Sequence, residues 1–222
     1  SIYFQDLFDF FGQYNFTIDE NDPMDHEVGI DPEMLGHIFE NLLEDNKDKG
    51  AFYTPKPIVQ YMCQESLIQY LKTYLVEHKL WSNDEKKANK LFEGIQNFVR
   101  KKTASEIIDF DEQIATALRN VKICDPAIGS GAFPMGLLNE IFYCLNVLYN
   151  ASPDVVGEVW GMSSWQADIV KKNIIQHSIY GVDLEKGAVD IARLRFWLSL
   201  IVDEKEPYPL PNLDFKIMQG NS

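Results

Sequence analysis

Residues 121–148 read VKICDPAIGSGAFPMGLLNEIFYCLNVL, and the order of chemistries in this stretch decides the fold. A short apolar run, "VKICDP", closes on Asp125 and Pro126. A glycine turn, "AIGSG", carries Gly129 and Gly131. A long apolar-rich segment from Ala132 has no glycine or proline to break it after Gly136. Strand, acid, glycine turn and helix together open a β-α unit. Downstream the pattern resumes. A second helix is expected near 164–176. "SIYGVDL" is a strand ending in an acid, "EKGAVDIARLRFWLSLIV" a helix, "EPYPLPNL" a proline-rich connection and "DFKIMQGN" a third strand. Strand, helix, strand, helix, strand predicts a parallel sheet with helices on its faces. There are no internal repeats.

Upstream the sequence reads as helical. Aromatics and acids mix in residues 1–30, with a helix expected near 3–12. Asp31 and Pro32 resemble an N-cap followed by proline at the first helical position. Met34, Leu35, Ile38, Phe39, Leu42 and Leu43 then recur at spacings of three and four. After "AFYTP", Pro57 opens a second helix whose apolar positions run from Ile58 to Leu75. Residues 82–120 are polar, helical in pattern and Lys-rich at 86–90 and 100–102. They are expected to be a solvated helical insertion, the phosphate-contacting alternative finding no support in aromatic interleaving. Three regions follow: an acidic helical segment 1–46, a helical region 47–120, and an α/β region 121–222.

The chain has 222 residues with a formal net charge of −14 and 45% hydrophobic residues, enough for one good core. Such acidity argues at first against a nucleic-acid partner. Its distribution weakens the objection. Residues 1–46 hold 12 acids and no Lys or Arg, whereas residues 47–222 hold 22 acids and 20 bases, a net of −2. No apolar run reaches the length of a membrane span, and the acidic start lacks the features of a signal peptide, so no membrane is expected. A start on Ser1 is expected of a piece of a longer protein. Cys63, Cys124 and Cys144 are far apart, as are the four histidines, and no metal-ligand spacing occurs. Isolated thiols of this kind read as reduced and mostly buried, which predicts a cytoplasmic protein without a metal site.

In a parallel α/β sheet, ligands bind at the carboxyl ends of the strands. Gly129 and Gly131 allow the backbone to approach a ligand closely, and the helix that follows offers N–H groups. Pro134 breaks the G-x-G-x-x-G dinucleotide fingerprint, and no G-K-[ST] exists. Asp125 would repel a pyrophosphate but would suit an ammonium group. Asp183, at the second strand end, could accept both hydroxyls of a ribose, with Leu184 against a flat base. Asn221, at the third, offers an amide that could read an adenine edge. An acid for an ammonium, a glycine turn, a ribose acid and a base reader together describe a site for S-adenosyl-L-methionine. Singly, each has an ordinary reading: a structural turn, one of many strands ending in Asp, a turn asparagine.

At this point the residues resemble a family. "DPAIGSGAFPMG" resembles the D-P-A-C-G-S-G-x-F motif of N6-adenine-specific DNA methyltransferases. "GAFYTPKPIVQYM" resembles the Y-T-P motif that precedes it in the gamma class. "IYGVDLEKGAVDIARLRFWLSL" and "PLPNLDFKIMQGNS" look like the ribose and adenine motifs. "DPEMLGHIFENLL" resembles the helix leading into Y-T-P in large fused type IIG/type IIS restriction–modification enzymes and related phage-defence methylases. The resemblance covers roughly 31–80 and 121–222, and the order of its motifs is specific to the gamma class. It implies a partial doubly wound, Rossmann-like methyltransferase sheet with an N-terminal helical region. It implies that Tyr53, Thr54 and Pro55 line the methionine end of the cofactor and that Asp125, Pro126 and Ala127 lead into the turn. Gly129 and Gly131 would lie under the cofactor, Asp183 would hold the ribose, and Leu184 and Asn221 would meet the adenine. Ile128 stands where the family usually has Cys, a change of bulk expected to matter little.

The family also uses an N-P-P-[YF] tetrapeptide to hold a flipped target base. No N-P-P occurs in this sequence. The expectation is therefore a cofactor-binding portion that is inactive alone, within an enzyme transferring methyl to N6 of adenine. Double-stranded DNA would be gripped by regions missing from this chain. No metal is needed for the transfer. A type I restriction methylase subunit shares two of the motifs, but "GAFP" and "LGHIFENLL" favour the fused enzyme. A non-catalytic cofactor-binding or scaffold module is the reading from a different class.

Overall fold

The structure, a computed structural model, describes residues 54–201 and 211–221. Tyr53, the acidic segment 1–46 and its expected helices, and part of the proline-rich connection lie outside the described residues. The described chain starts with helix α1 (Lys56–Glu77) and α2 (Glu85–Lys101), a 3-10 turn (Ile108–Phe110) and α3 (Asp111–Asn120). Strand β1 (Ile123–Asp125) leads to α4 (Ala132–Ala151), α5 (Pro153–Trp160) and α6 (Ala167–Ser178). Then come β2 (Ile179–Asp183), α7 (Lys186–Ile201) and β3 (Ile217–Gln219).

Helix α1 starts where its prolines dictate. Pro57 sits in the first turn, and the Pro55 carbonyl accepts the N–H groups of Ile58 and Val59. Val59, Cys63, Leu67, Leu71 and Leu75 form its buried stripe. Helix α2 is capped by Asp84, whose carboxylate accepts the Lys87 N–H at 3.0 Å. The expectation of a solvated insertion at 82–120 holds for one face only. Leu91, Ile95, Phe98 and Val99 of α2, and Ile114 and Leu118 of α3, belong to the same core as the α/β region. Nor is the 100–102 charge run a free basic patch. Arg100 binds Glu65, and the Lys102 ammonium donates to the buried Glu140 carboxylate at 2.5 Å. Phe98 and Phe196 are the largest fully buried side chains of that core, each contributing about 1.5–3 kcal/mol by burial.

The three strands lie side by side in the order β1-β2-β3, all parallel. The register pairs Asp125 with Gly181 and Asp183 with Gln219, so the carboxyl ends of the strands lie along one edge. This is an α/β arrangement with a small parallel sheet. Both crossovers step the same way across it, and the right-handed rule places their helices on one face. Helix α7 accordingly packs on α4, α6, β2 and β3. A doubly wound sheet requires a reversal of strand order, and the described residues contain none. On the opposite face the register sets Cys124 beside Tyr180 and Val182 beside Met218. Among the described residues no helix is long and apolar enough to cross a membrane.

Candidate functional site at the strand ends

The site is organised around Asp183. Its Oδ2 accepts the Gly129 N–H at 2.8 Å, and its Oδ1 accepts the Glu185 N–H at 2.9 Å. Its own backbone carbonyl accepts the Gly220 N–H at 2.9 Å. One residue thus ties the turn after β1, the turn after β2 and the end of β3 together. Because one carboxylate oxygen holds more than one lone pair, these bonds leave acceptor capacity on a half-exposed side chain.

The glycine turn is held from within. Asp125 Oδ1 accepts the Ala127 N–H at 3.1 Å, and the Ile128 N–H donates to the Val182 carbonyl at 3.0 Å. The Gly131 N–H donates to the Ile128 carbonyl at 2.9 Å. Gly129 and Gly131 both have positive φ, +53° and +87°, which explains the choice of glycine. A Cβ on Gly129 would meet nothing within 4 Å, so the space over it is open. Gly131 begins α4 with no side-chain cap, which leaves the first turn of that helix directed at the strand ends.

Ile128 is nearly fully buried, and Gly181 makes room for it. A Cβ on Gly181 would stand 2.2 Å from the Ile128 Cδ1. The bulk of Ile128 is therefore absorbed by a glycine on the neighbouring strand.

Asp125 is half-buried and lines a cleft of about 230 Å³. Burial pushes its carboxyl above the ordinary aspartate value. The Ala127 N–H opposes that shift and the Asp183 charge adds to it. The opposite wall is the second and third turns of α1, with Met62, Cys63 and Ser66 facing Pro126, Phe133 and Leu137. Gly136 permits this approach, since a Cβ there would lie 2.8 Å from the Cys63 Sγ and 2.9 Å from Val59. The Cys63 thiol donates to the Phe133 carbonyl at 3.5 Å. Burial, reinforced by the Glu140 charge, pushes the Cys63 thiol up to about 12, so it is a packing group here and no nucleophile.

The structure brings Asp125, Pro126, Ala127, Gly129, Gly131 and Asp183 together. Leu184 lies beside them, two-thirds exposed, and the Gln219 amide donates to its carbonyl at 3.0 Å. Asn221 is exposed just beyond β3. Thr54 and Pro55 stand at the start of α1, outside the cleft lining. Sequence reasoning did not place Met62, Cys63, Ser66, Gly136, Gly181 or Gln219 at the site. The glycines carried a signal, each interrupting an otherwise regular helix or strand. Among the described residues no cluster of His, Cys, Asp or Glu could hold a metal ion.

No family model matches the sequence, and no solved structure matches the chain. Among curated proteins the chain is similar to one from Methanocaldococcus jannaschii described as a candidate type II restriction enzyme and methyltransferase. The two are 27% identical over 244 aligned residues, a match that covers 98% of this chain and 18% of that protein. The chain therefore spans less than a fifth of its relative's length.

Proposed function

We propose that this chain is the S-adenosyl-L-methionine-binding portion of a DNA methyltransferase acting on N6 of adenine in a restriction–modification or phage-defence system. The observation that carries this reading is the convergence at Asp183. Its carboxylate and the half-buried Asp125 flank a glycine turn whose upper surface is open. The similarity to the Methanocaldococcus protein supports its coarser part, a methyltransferase of a restriction–modification system. The site chemistry fits the group. Asp125, costly to ionise as it stands, would be relieved by an ammonium. Asp183 would accept ribose hydroxyls, and the exposed Leu184 would cover the adenine. Gly129 and Gly131 would pass beneath, with Asn221 toward the base edge and Tyr53, Thr54 and Pro55 toward the methionine end.

When bound, the cofactor supplies a methyl group on a sulfonium, which an amine can accept without a metal. The chain's own part in this is to orient and to exclude water. With no N-P-P sequence here, the groups that hold a target adenine, and the surface that grips double-stranded DNA, are assigned to other parts of the whole enzyme. Residues 121–222 form the cofactor-binding unit in this proposal, with the helices of 47–120 as one wall.

Calorimetric titration of the 222-residue chain with S-adenosylmethionine and its demethylated product tests the proposal. Saturable binding of both is expected, without methylation of DNA. A chain that is folded by circular dichroism yet gives no heat at high ligand would refute it.

A further inference from the structure

Beneath the glycine turn lies a charged side chain that the cofactor reading does not use. Arg195 of α7 is 4% exposed, and its Nη1 donates to the Ser130 carbonyl at 2.9 Å and to the Ser130 Oγ at 3.3 Å. Ser130 is itself 5% exposed. It stands between the two glycines with positive φ, the part of the turn with the most conformational freedom. One helical turn before Arg195, Ala192 presses on the same segment: a Cβ on Gly131 would stand 3.3 Å from the Ala192 Cβ. Ala192, Arg195 and Phe196 therefore form one face of α7 on which the turn is seated.

A guanidinium is expensive to bury and is retained where it meets a matching acceptor. Here it meets a main-chain carbonyl and a hydroxyl of the turn, and charge-assisted bonds of this kind are the stronger ones. We propose that Arg195 is a positioning residue for the cofactor turn, an inference that rests on the cofactor reading of Gly129 and Gly131. The Ser130 carbonyl is fixed from below by Arg195, while the Gly129 N–H is fixed by Asp183. The two anchors come from different secondary-structure elements and act on the two peptide units that flank the Gly129–Ser130 peptide. With both in place the turn is ordered before a ligand arrives, so binding does not have to order it.

The test uses the full 222-residue chain and three substitutions: Arg195→Met, Arg195→Lys and Leu148→Ala. Leu148 is fully buried in α4, about 24 Å along that helix from Ala132, and serves as a destabilised control outside the site. Affinity for S-adenosylmethionine is measured by calorimetry and fold stability by thermal unfolding. Hydrogen exchange at the Gly129 amide is followed without ligand. Arg195→Met is expected to weaken binding about tenfold or more, the scale of one charge-assisted hydrogen bond. It should also speed Gly129 exchange. Arg195→Lys should recover part of both. Leu148→Ala should lower the melting temperature yet leave affinity within about twofold, because no turn contact is touched.

The inference is overturned if the wild-type chain binds and Arg195→Met binds equally well, or if Leu148→Ala weakens binding as much. Should Arg195→Met fail to fold, Arg195→Lys carries the comparison, and unchanged affinity and exchange in it overturn the inference. A wild-type chain that gives no heat sinks the cofactor reading instead. Gly129 exchange then still decides whether Arg195 orders the turn.

Discussion

Replacing Gly181 by alanine places a methyl group where Ile128 already stands. The new Cβ would lie 2.2 Å from the Ile128 Cδ1 and 3.0 Å from its Cβ and Cγ1. The shortest contact is with the end of a side chain and can be relieved by a rotamer change, but the two at 3.0 Å persist. Overpacking of this kind costs about 1–3 kcal/mol. Gly181 lacks a positive φ, so alanine also lowers the entropy of the unfolded chain, a gain of about 0.4–1 kcal/mol. The net expectation is a loss of about 1–2 kcal/mol, or roughly 3–6 °C for a chain of this length. Ile128→Ala, which empties the same space, should cost about 2–5 kcal/mol. In the double substitution the alanine methyl enters the space left by Ile128, so the losses should fall short of their sum by about 1 kcal/mol or more. Urea unfolding followed by tryptophan fluorescence supplies all four corners of the cycle. Additive losses, or a stabilised Gly181→Ala, would refute the shared-volume argument.

Asp183→Ala should abolish detectable cofactor binding and lower the melting temperature by several degrees, whereas Asp190→Ala, on the exposed side of α7, should do neither; equal effects in calorimetry and thermal unfolding would remove Asp183 from its place at the centre of the site. Asp125 carries a raised carboxyl, so the folded state holds more protons than the unfolded state between the ordinary aspartate value and the raised one. Stability conferred by its protonated form is lost as pH rises through that window, and Asp125→Asn should therefore raise the melting temperature at pH 7 and lose the advantage in acid. A gain that grows toward low pH would reverse the sign and contradict the burial argument. Gly136→Ala should destabilise despite the better helix propensity of alanine, because its Cβ meets Cys63 and Val59; stabilisation by about 1 kcal/mol in chemical unfolding would show that α1 and α4 are not in close contact. A thiol reagent should titrate one cysteine, Cys124, in the native chain and all three after unfolding, since burial pushes the other two up to about 12.

What could be read from the sequence was whatever is punctuated locally. The strand ends at Asp125 and Asp183 follow from an apolar run stopped by an acid, and α1 follows from Pro57 and a repeating apolar stripe. Helix α5 was not read, although Ser152, Pro153 and a left-handed Gly161 mark both of its ends. The apolar faces of α2 and α3 were masked by their charged residues, because composition averages over a helix while packing uses one side of it. Gly136 and Gly181 could not be explained in advance. Each is a glycine for the sake of a residue far away in sequence, Cys63 in one case and Ile128 in the other. The strand-end acid of β2 was chosen for a ligand, yet the structure shows it engaged with three backbone N–H groups, through its carboxylate and its carbonyl. The Gln219 contact with the Leu184 carbonyl was also out of reach, since it depends on which residue of β3 falls in register with Asp183.

The ties that meet at Asp183 also set an order of events. Gly129, Asp183 and Gly220 come from distant parts of the chain, and none of the bonds between them is local. Closing loops of that length costs entropy that only the assembled sheet returns. A chain with its helices formed but β3 undocked would lack the Gly220 anchor on the Asp183 carbonyl and the Lys216 tie to Gly181. On the proposed cofactor reading, a ligand that spans these strand ends would therefore report on whether β3 has docked beside β2.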